Sequence, residues 1–253
     1  MGSKLEAACA QTATTSPGCS CTCSRADETL QLVVSGKAAS SSEPAAGHNA
    51  LVALGRTLRG IKLAPSGPAA LLAAVQQFMS EESSGRKLGL YYGDNVMGEL
   101  LVVPTGLHCL GDEARLDVSM YRPRGVKAAR FESLLHEAET LLRQTVDSRI
   151  RSGAKPLLSE PWQSQASEGL LDALLQSYLR GVGRLRVQAL PPPRLQSVPH
   201  STFARLFADG LSFGPSLPGT RWLARSPDEH IPIWQLGLLS SVYLDAIIHL
   251  QGG

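Results

Sequence analysis

Between residues 87 and 121 apolar side chains alternate with polar ones; from residue 126 they recur three and four positions apart instead. Leu88, Leu90 and Tyr92 lead into Gly93-Asp94-Asn95, a turn composition. Residues 96–103, 107–110 and 116–121 follow, separated by Pro104-Thr105-Gly106 and Gly111-Asp112. In the last run Leu116, Val118 and Met120 alternate with Asp117, Ser119 and Tyr121. The spacing predicts a four-stranded antiparallel meander over residues 87–121, with one wet face on its last strand. Phe131, Leu134, Leu135, Ala138, Leu141, Leu142, Thr145, Val146 and Ile150 then share one helical stripe. A helix over residues 126–151 is expected there, about 39 Å long at 1.5 Å per residue. Each element has one apolar face to bury on the other, which makes the expected fold class α+β.

Shorter patterns flank this pair. Asn49 is placed to cap a helix carrying Leu51, Leu54 and Leu58, and Pro65-Ser66-Gly67-Pro68 turns into a second helix with Leu71, Leu72, Val75, Phe78 and Met79 on one face. Residues 167–179 predict another amphipathic helix, with Leu170, Leu171, Leu174, Leu175 and Tyr178 in its stripe. Residues 184–190 alternate as a strand does, and Pro191-Pro192-Pro193 is a stiff break. From Ile233 to Leu250 the chain is apolar nearly all round. A helix of that kind is buried in its own domain or seated in a partner's groove. Trp234, Leu238, Leu239, Val242 and Tyr243 are the candidate partner-binding residues.

Residues 1–47 have a different character. They are rich in Ala, Ser, Thr and Gly and hold few large apolar side chains outside residues 30–34. Such a segment buries too little surface to offset its chain entropy, so a disordered tail is expected. A second possibility is that residues 30–34, β-rich in composition, add a strand. The expected organisation is a tail over 1–47, a body over 48–190, and a Pro-rich connection with a terminal helix over 191–253. Four of the five cysteines lie in the tail, as Cys9, Cys19, Cys21 and Cys23, and only Cys109 lies in the body. That distribution argues against a disulfide scaffold and for a reducing, cytoplasmic setting, with organelle targeting through the tail as the alternative. No apolar run is read as a transmembrane span. A net charge of +2 supplies no field to steer the chain to nucleic acid.

Candidate chemistry is sparse. Cys19, Cys21 and Cys23 face one way in an extended chain and form a candidate soft-metal set. Arg122, Arg124, Lys127 and Arg130 gather at the start of the long helix with no acid among them, a candidate anion site. Bases there oppose the helix dipole unless an anion sits among them. His108-Cys109 points its two side chains to opposite faces of a strand, so a buried structural thiol is expected at Cys109. Ser226-Pro227-Asp228-Glu229-His230 matches a helix start. For an enzyme assembled from scattered residues, His108, Asp228, Glu229 and His230 are the candidates. The patterns G-x-x-x-x-G-K-S/T, G-x-G-x-x-G and H-E-x-x-H do not occur, and no cofactor is implied.

The leading functional expectation is therefore a non-catalytic interaction or assembly protein that engages a protein partner through its last helix. The alternatives are a small anionic-ligand binder, with a cavity between sheet and long helix, or an enzyme of unrecognised type.

Overall fold

The computed structural model describes residues 2–153, 158–184, 190, 193–199, 201–220, 223–224 and 228–251. The fold is α+β, with seven α-helices and three two-stranded antiparallel ladders among the described residues. It divides into two units, Met1–Pro161 and Trp162–Gly253. Residues 1–47, expected as a separate tail, fold into the first unit, and residues 168–184, expected in the body, fall in the second.

Those N-terminal residues are not a disordered tail. Helices α1 (Gly2–Ala10) and α2 (Thr12–Thr15) precede a hairpin of β1 (Ser20–Ala26) and β2 (Thr29–Ser35), in register from Ser20↔Ser35 to Ala26↔Thr29. The segment has little apolar surface, and other links hold it. A Cys9–Cys21 disulfide ties α1 to β1, and Leu5 and Cys9 are buried. The Thr12 hydroxyl lies 2.9 Å from that of Thr57 in α3 (Ala50–Thr57), and residues 37 and 48 form an isolated bridge. The distribution of cysteines argued against a disulfide scaffold; this one bond forms, and Cys19, Cys23 and Cys109 stay free.

Local sequence explains the next helices. Asn49 Oδ1 accepts the Leu51 and Val52 N–H groups at the start of α3. Ser66 Oγ accepts the Ala69 N–H at the start of α4 (Gly67–Phe78), with Pro68 in its first turn. The meander departs from expectation in its connections. A minimal ladder of β3 (Gly93–Asp94) and β4 (Gly98–Glu99) stands apart from a long hairpin of β5 (Leu101–Leu110) and β6 (Glu113–Tyr121). Pro104-Thr105-Gly106 is not a turn; it is a register slip inside β5. Residues 86–88 form a 3-10 turn rather than a strand.

Helix α5 (Ala128–Thr145) follows, shorter at both ends than its stripe implied. Phe131 and Ala138 from α5 join Val75, Met79, Leu88, Leu90, Leu100 and Val102 in one buried cluster. Leu116, Val118 and Met120 of β6 and Leu135 and Leu142 of α5 pack against it, as the two periods predict. The Tyr92 and Phe131 rings meet edge-on, with centroids 6.1 Å apart.

The second unit centres on α6 (Glu168–Arg184) and α7 (Ile233–Gln251). The expected strand over 184–190 falls mostly on residues outside the described set. Tyr178, Leu217, Leu238, Leu239 and Val242 form this unit's core. Gly181 lets the helices approach closely, since a Cβ there would run into the Val242 side chain. Contrary to the sequence reading, α7 is long and apolar enough to cross a membrane by length and composition alone. Here one of its faces packs on α6, while Ile233, Leu236, Leu244, Ile247 and Ile248 are exposed on the other.

A buried charge interrupts that apolar helix. The Asp245 side chain, 6% exposed, lies 2.7 Å from Arg180 and 2.9 Å from Arg184. The Arg180 hydrogen bond holds its carboxyl at about 2, against 3.8 ordinarily. A folded-state pKa below the unfolded one stabilises the fold above the unfolded value and loses that contribution as pH falls through the folded value. Asp245→Asn should therefore melt below the parent at neutral pH. Thermal melts across a pH series should show the gap closing as pH drops from 3.8 toward about 2.

Candidate functional site

Where β6 gives way to α5, Arg122 turns inward. Its side chain is 5% exposed, and its guanidinium carbon stands 4.9 Å from the Phe131 ring centroid. Nη1 donates to the Ser159 carbonyl at 3.2 Å and Nη2 to the Val126 carbonyl at 2.7 Å. Nη2 also lies 3.5 Å from Glu160 Oε2. The other Glu160 oxygen accepts the N–H of Ala128, the first residue of α5, at 2.9 Å. A cation and a helix N-terminus thus converge on one place, and the chain's own carboxylate occupies it. Arg122 Nε and the Tyr92 hydroxyl are buried beside it without hydrogen-bond partners. Burial raises the pKa of that hydroxyl, with the Arg122 charge opposing.

The other members of the basic cluster do not converge there. Arg124 donates from Nε and Nη2 to Asp94 Oδ2 at 3.1 and 2.6 Å. Arg130 pairs with Glu137 at 2.8 Å on the exposed side of α5. Lys127 is exposed at the cap position of α5 and makes no side-chain cap. Only Arg122 of the four keeps the character of an anion seat. Tyr92 and Glu160 were missed from sequence. The one signal for Glu160 was the dipole conflict, which called for an anion without saying that the chain supplies it.

The remaining candidates disperse. Cys21 is bonded to Cys9, so Cys19, Cys21 and Cys23 are not three thiolates for one metal. Among the described residues no three His, Cys, Asp or Glu side chains gather to hold a metal ion. Cys109, expected to be buried, is exposed because residues 108–110 carry the hairpin tip into solvent. His108 Nε2 lies 3.0 Å from Asp117 on that exposed arm. Asp228, Glu229 and His230 belong to the other unit; His230 Nδ1 lies 2.8 Å from the Asp228 carbonyl oxygen. Ser226 and Pro227 lie outside the described residues. Leu238, Leu239 and Val242, read as partner-binding, are buried in the second unit's own core. Tyr243 donates its hydroxyl to the Phe213 carbonyl at 3.1 Å, and Trp234 is about half exposed.

The expected cavity between sheet and long helix is filled by the Phe131 cluster. A depression of about 370 Å³ lies instead along α5, lined by His136, Glu137, Thr140, Leu141 and Gln144. All five residues come from that one helix, so no second element closes over it.

No family model matches the chain. It is 25% identical over 230 residues to the Beta-Ala-Xaa dipeptidase of Lactobacillus delbrueckii subsp. lactis, covering 88% of this chain and 44% of that protein. Two further proteins named as dipeptidases are also similar. SSP1012 of Staphylococcus saprophyticus subsp. saprophyticus is 24% identical over 222 residues, covering 87% of this chain and 44% of that protein. YtjP of Bacillus subtilis is 27% identical over 210 residues, covering 82% and 41%. The chain thus spans less than half the length of these relatives. Their names overturn the expectation of a non-catalytic interaction or assembly protein and favour its enzyme alternative.

The Cys9–Cys21 bond supplies its own test. Closing a loop of this size stabilises a fold by about 3 kcal/mol in the chain-entropy account. Cys9→Ser should lower the denaturant midpoint of the first unit, and a reducing agent should do the same to the parent chain. A variant that unfolds with the oxidised parent would show that the apolar and Thr12–Thr57 contacts suffice.

Proposed function

We propose that the chain acts in dipeptide hydrolysis, as the part of a dipeptidase-like protein that holds a peptide carboxylate. The carrying observation is the similarity to three dipeptidase-named proteins over 82–88% of the chain. The Arg122 seat supports it chemically. A buried guanidinium beside a helix N-terminus suits a carboxylate, and in this structure Glu160 plays that part. In this reading the peptide's C-terminal carboxylate displaces Glu160, whose side chain is 57% exposed and free to swing into solvent. The cytoplasmic setting belongs to the same reading.

Isothermal titration with a β-alanyl dipeptide, alongside an assay for released amino acid, tests this. Glu160→Ala should bind the free-acid dipeptide about tenfold more tightly than the parent, because the competing carboxylate is gone. The C-terminally amidated dipeptide should bind neither protein, and Arg122→Met should abolish the gain. Equal binding of acid and amide, or none to either protein at millimolar peptide, would end the assignment.

A further inference from the structure

A second concavity lies in the first unit, between the turn joining α2 to β1 and the start of α3. It measures about 180 Å³, and Ser16, Cys19, His48, Val52 and Arg56 are among the residues around it. Its lining contains no carboxylate. Ser16 is 2% exposed, and its hydroxyl has no hydrogen-bond partner. Buried hydroxyls are rarely left unpaired, so this one points to something it was built to meet.

The neighbouring groups share that character. Arg56 donates to the Ser80 carbonyl but is paired with no carboxylate in the described structure. Its charge reaches the Cys19 thiol: burial raises the thiol's pKa, and Arg56 opposes the rise. His48 is fixed on both sides. Its backbone pairs with Lys37, through N–H to carbonyl bonds of 2.8 and 3.0 Å. Its ring lies against Gly18, whose φ of +81° and missing Cβ leave the room it needs. Asn49, by contrast, is already spent on the α3 cap and the Pro104 carbonyl.

We propose that this cavity binds a small oxyanion, held by the Arg56 guanidinium, the Ser16 hydroxyl and the His48 imidazole. Its volume matches about six waters at ~30 Å³ each, room for inorganic phosphate or a carboxylate of amino-acid size. The site shares no residue with the Arg122 seat and does not depend on the dipeptidase reading.

Thermal shift and titration calorimetry on the full chain test it with three probes: inorganic phosphate, β-alanine, and chloride at matched ionic strength. Phosphate or β-alanine should raise the melting temperature with the logarithm of concentration, while chloride should not. A response to one of the two identifies the anion, and a response to both identifies a general oxyanion site. Ser16→Ala separates ligand binding from packing. That variant loses a hydroxyl with no partner, so its ligand-free melt should match the parent's or exceed it. Its affinity for the responding anion should fall about tenfold. As a second readout, the anion should slow alkylation of Cys19, measured by peptide mass spectrometry, and leave Cys109 unchanged. The proposal is overturned if chloride acts as well as the oxyanions, if neither oxyanion binds at millimolar concentration, or if Ser16→Ala keeps the parent's full affinity.

Discussion

The first unit depends on Phe131, a ring with no solvent exposure that belongs to two structures at once. As a core side chain it fixes α5 against Leu90 and Leu100, which lie outside the strands, and against Val102 of β5. As an aromatic face it lies under the Arg122 guanidinium and edge-on to Tyr92. A guanidinium this buried needs acceptors for its donors and an opposite for its charge. The Val126 and Ser159 carbonyls and Glu160 meet those needs at the two terminal nitrogens, while Nε stays unpaired. The packing that fixes α5 therefore also fixes the anion seat at its N-terminus.

What the sequence made legible follows from how local each signal is. Asn49 acts on N–H groups two and three residues away, and its cap lies where composition placed it, whereas Ser66, read only as part of a turn, caps α4 in the same way. The 3.6-residue stripe of α5 and the alternation in β6 report burial on one face, and Leu134, Leu135 and Leu142 of the one and Leu116, Val118 and Met120 of the other pack half-buried against the core. Pro104-Thr105-Gly106 misled because the same residues suit a turn and a bulge; only the continued pairing of Leu107 to Leu116 shows which. Residues 1–47 misled for another reason. Composition measures apolar burial, whereas this segment is held by a disulfide and a hydroxyl pair whose partners lie 12 and 45 positions away. No window along the sequence contains both ends of either link.

The site was legible to the same degree. Arg122 was found because a basic cluster at a helix start is an electrostatic anomaly, and the anomaly is real. Its resolution by Glu160 spans residues 128–160, a separation set by the length of α5 and the loop after it. The similarity to dipeptidases lay out of reach for a different reason. It amounts to 24–27% identity, and a single sequence read alone has no relative to set beside it.

The arginines give the two anion readings a common logic. Four described arginines are neither fully exposed nor fully buried as whole residues: Arg56, Arg122, Arg124 and Arg180. Three have carboxylates from elsewhere in the chain, Glu160, Asp94 and Asp245, each within 4 Å. Withdrawing a guanidinium from water is costly, and a carboxylate from the same chain offsets that cost. Arg56 alone among the four lacks that compensation and has a carbonyl and a polar cavity instead. An oxyanion there would complete the rule the other three follow. At Arg122 the rule is already satisfied from within, which is why a ligand must displace Glu160 rather than merely arrive. One chain thus presents a seat that is filled and a seat that is open, and the two differ in whether the sequence provides the acid.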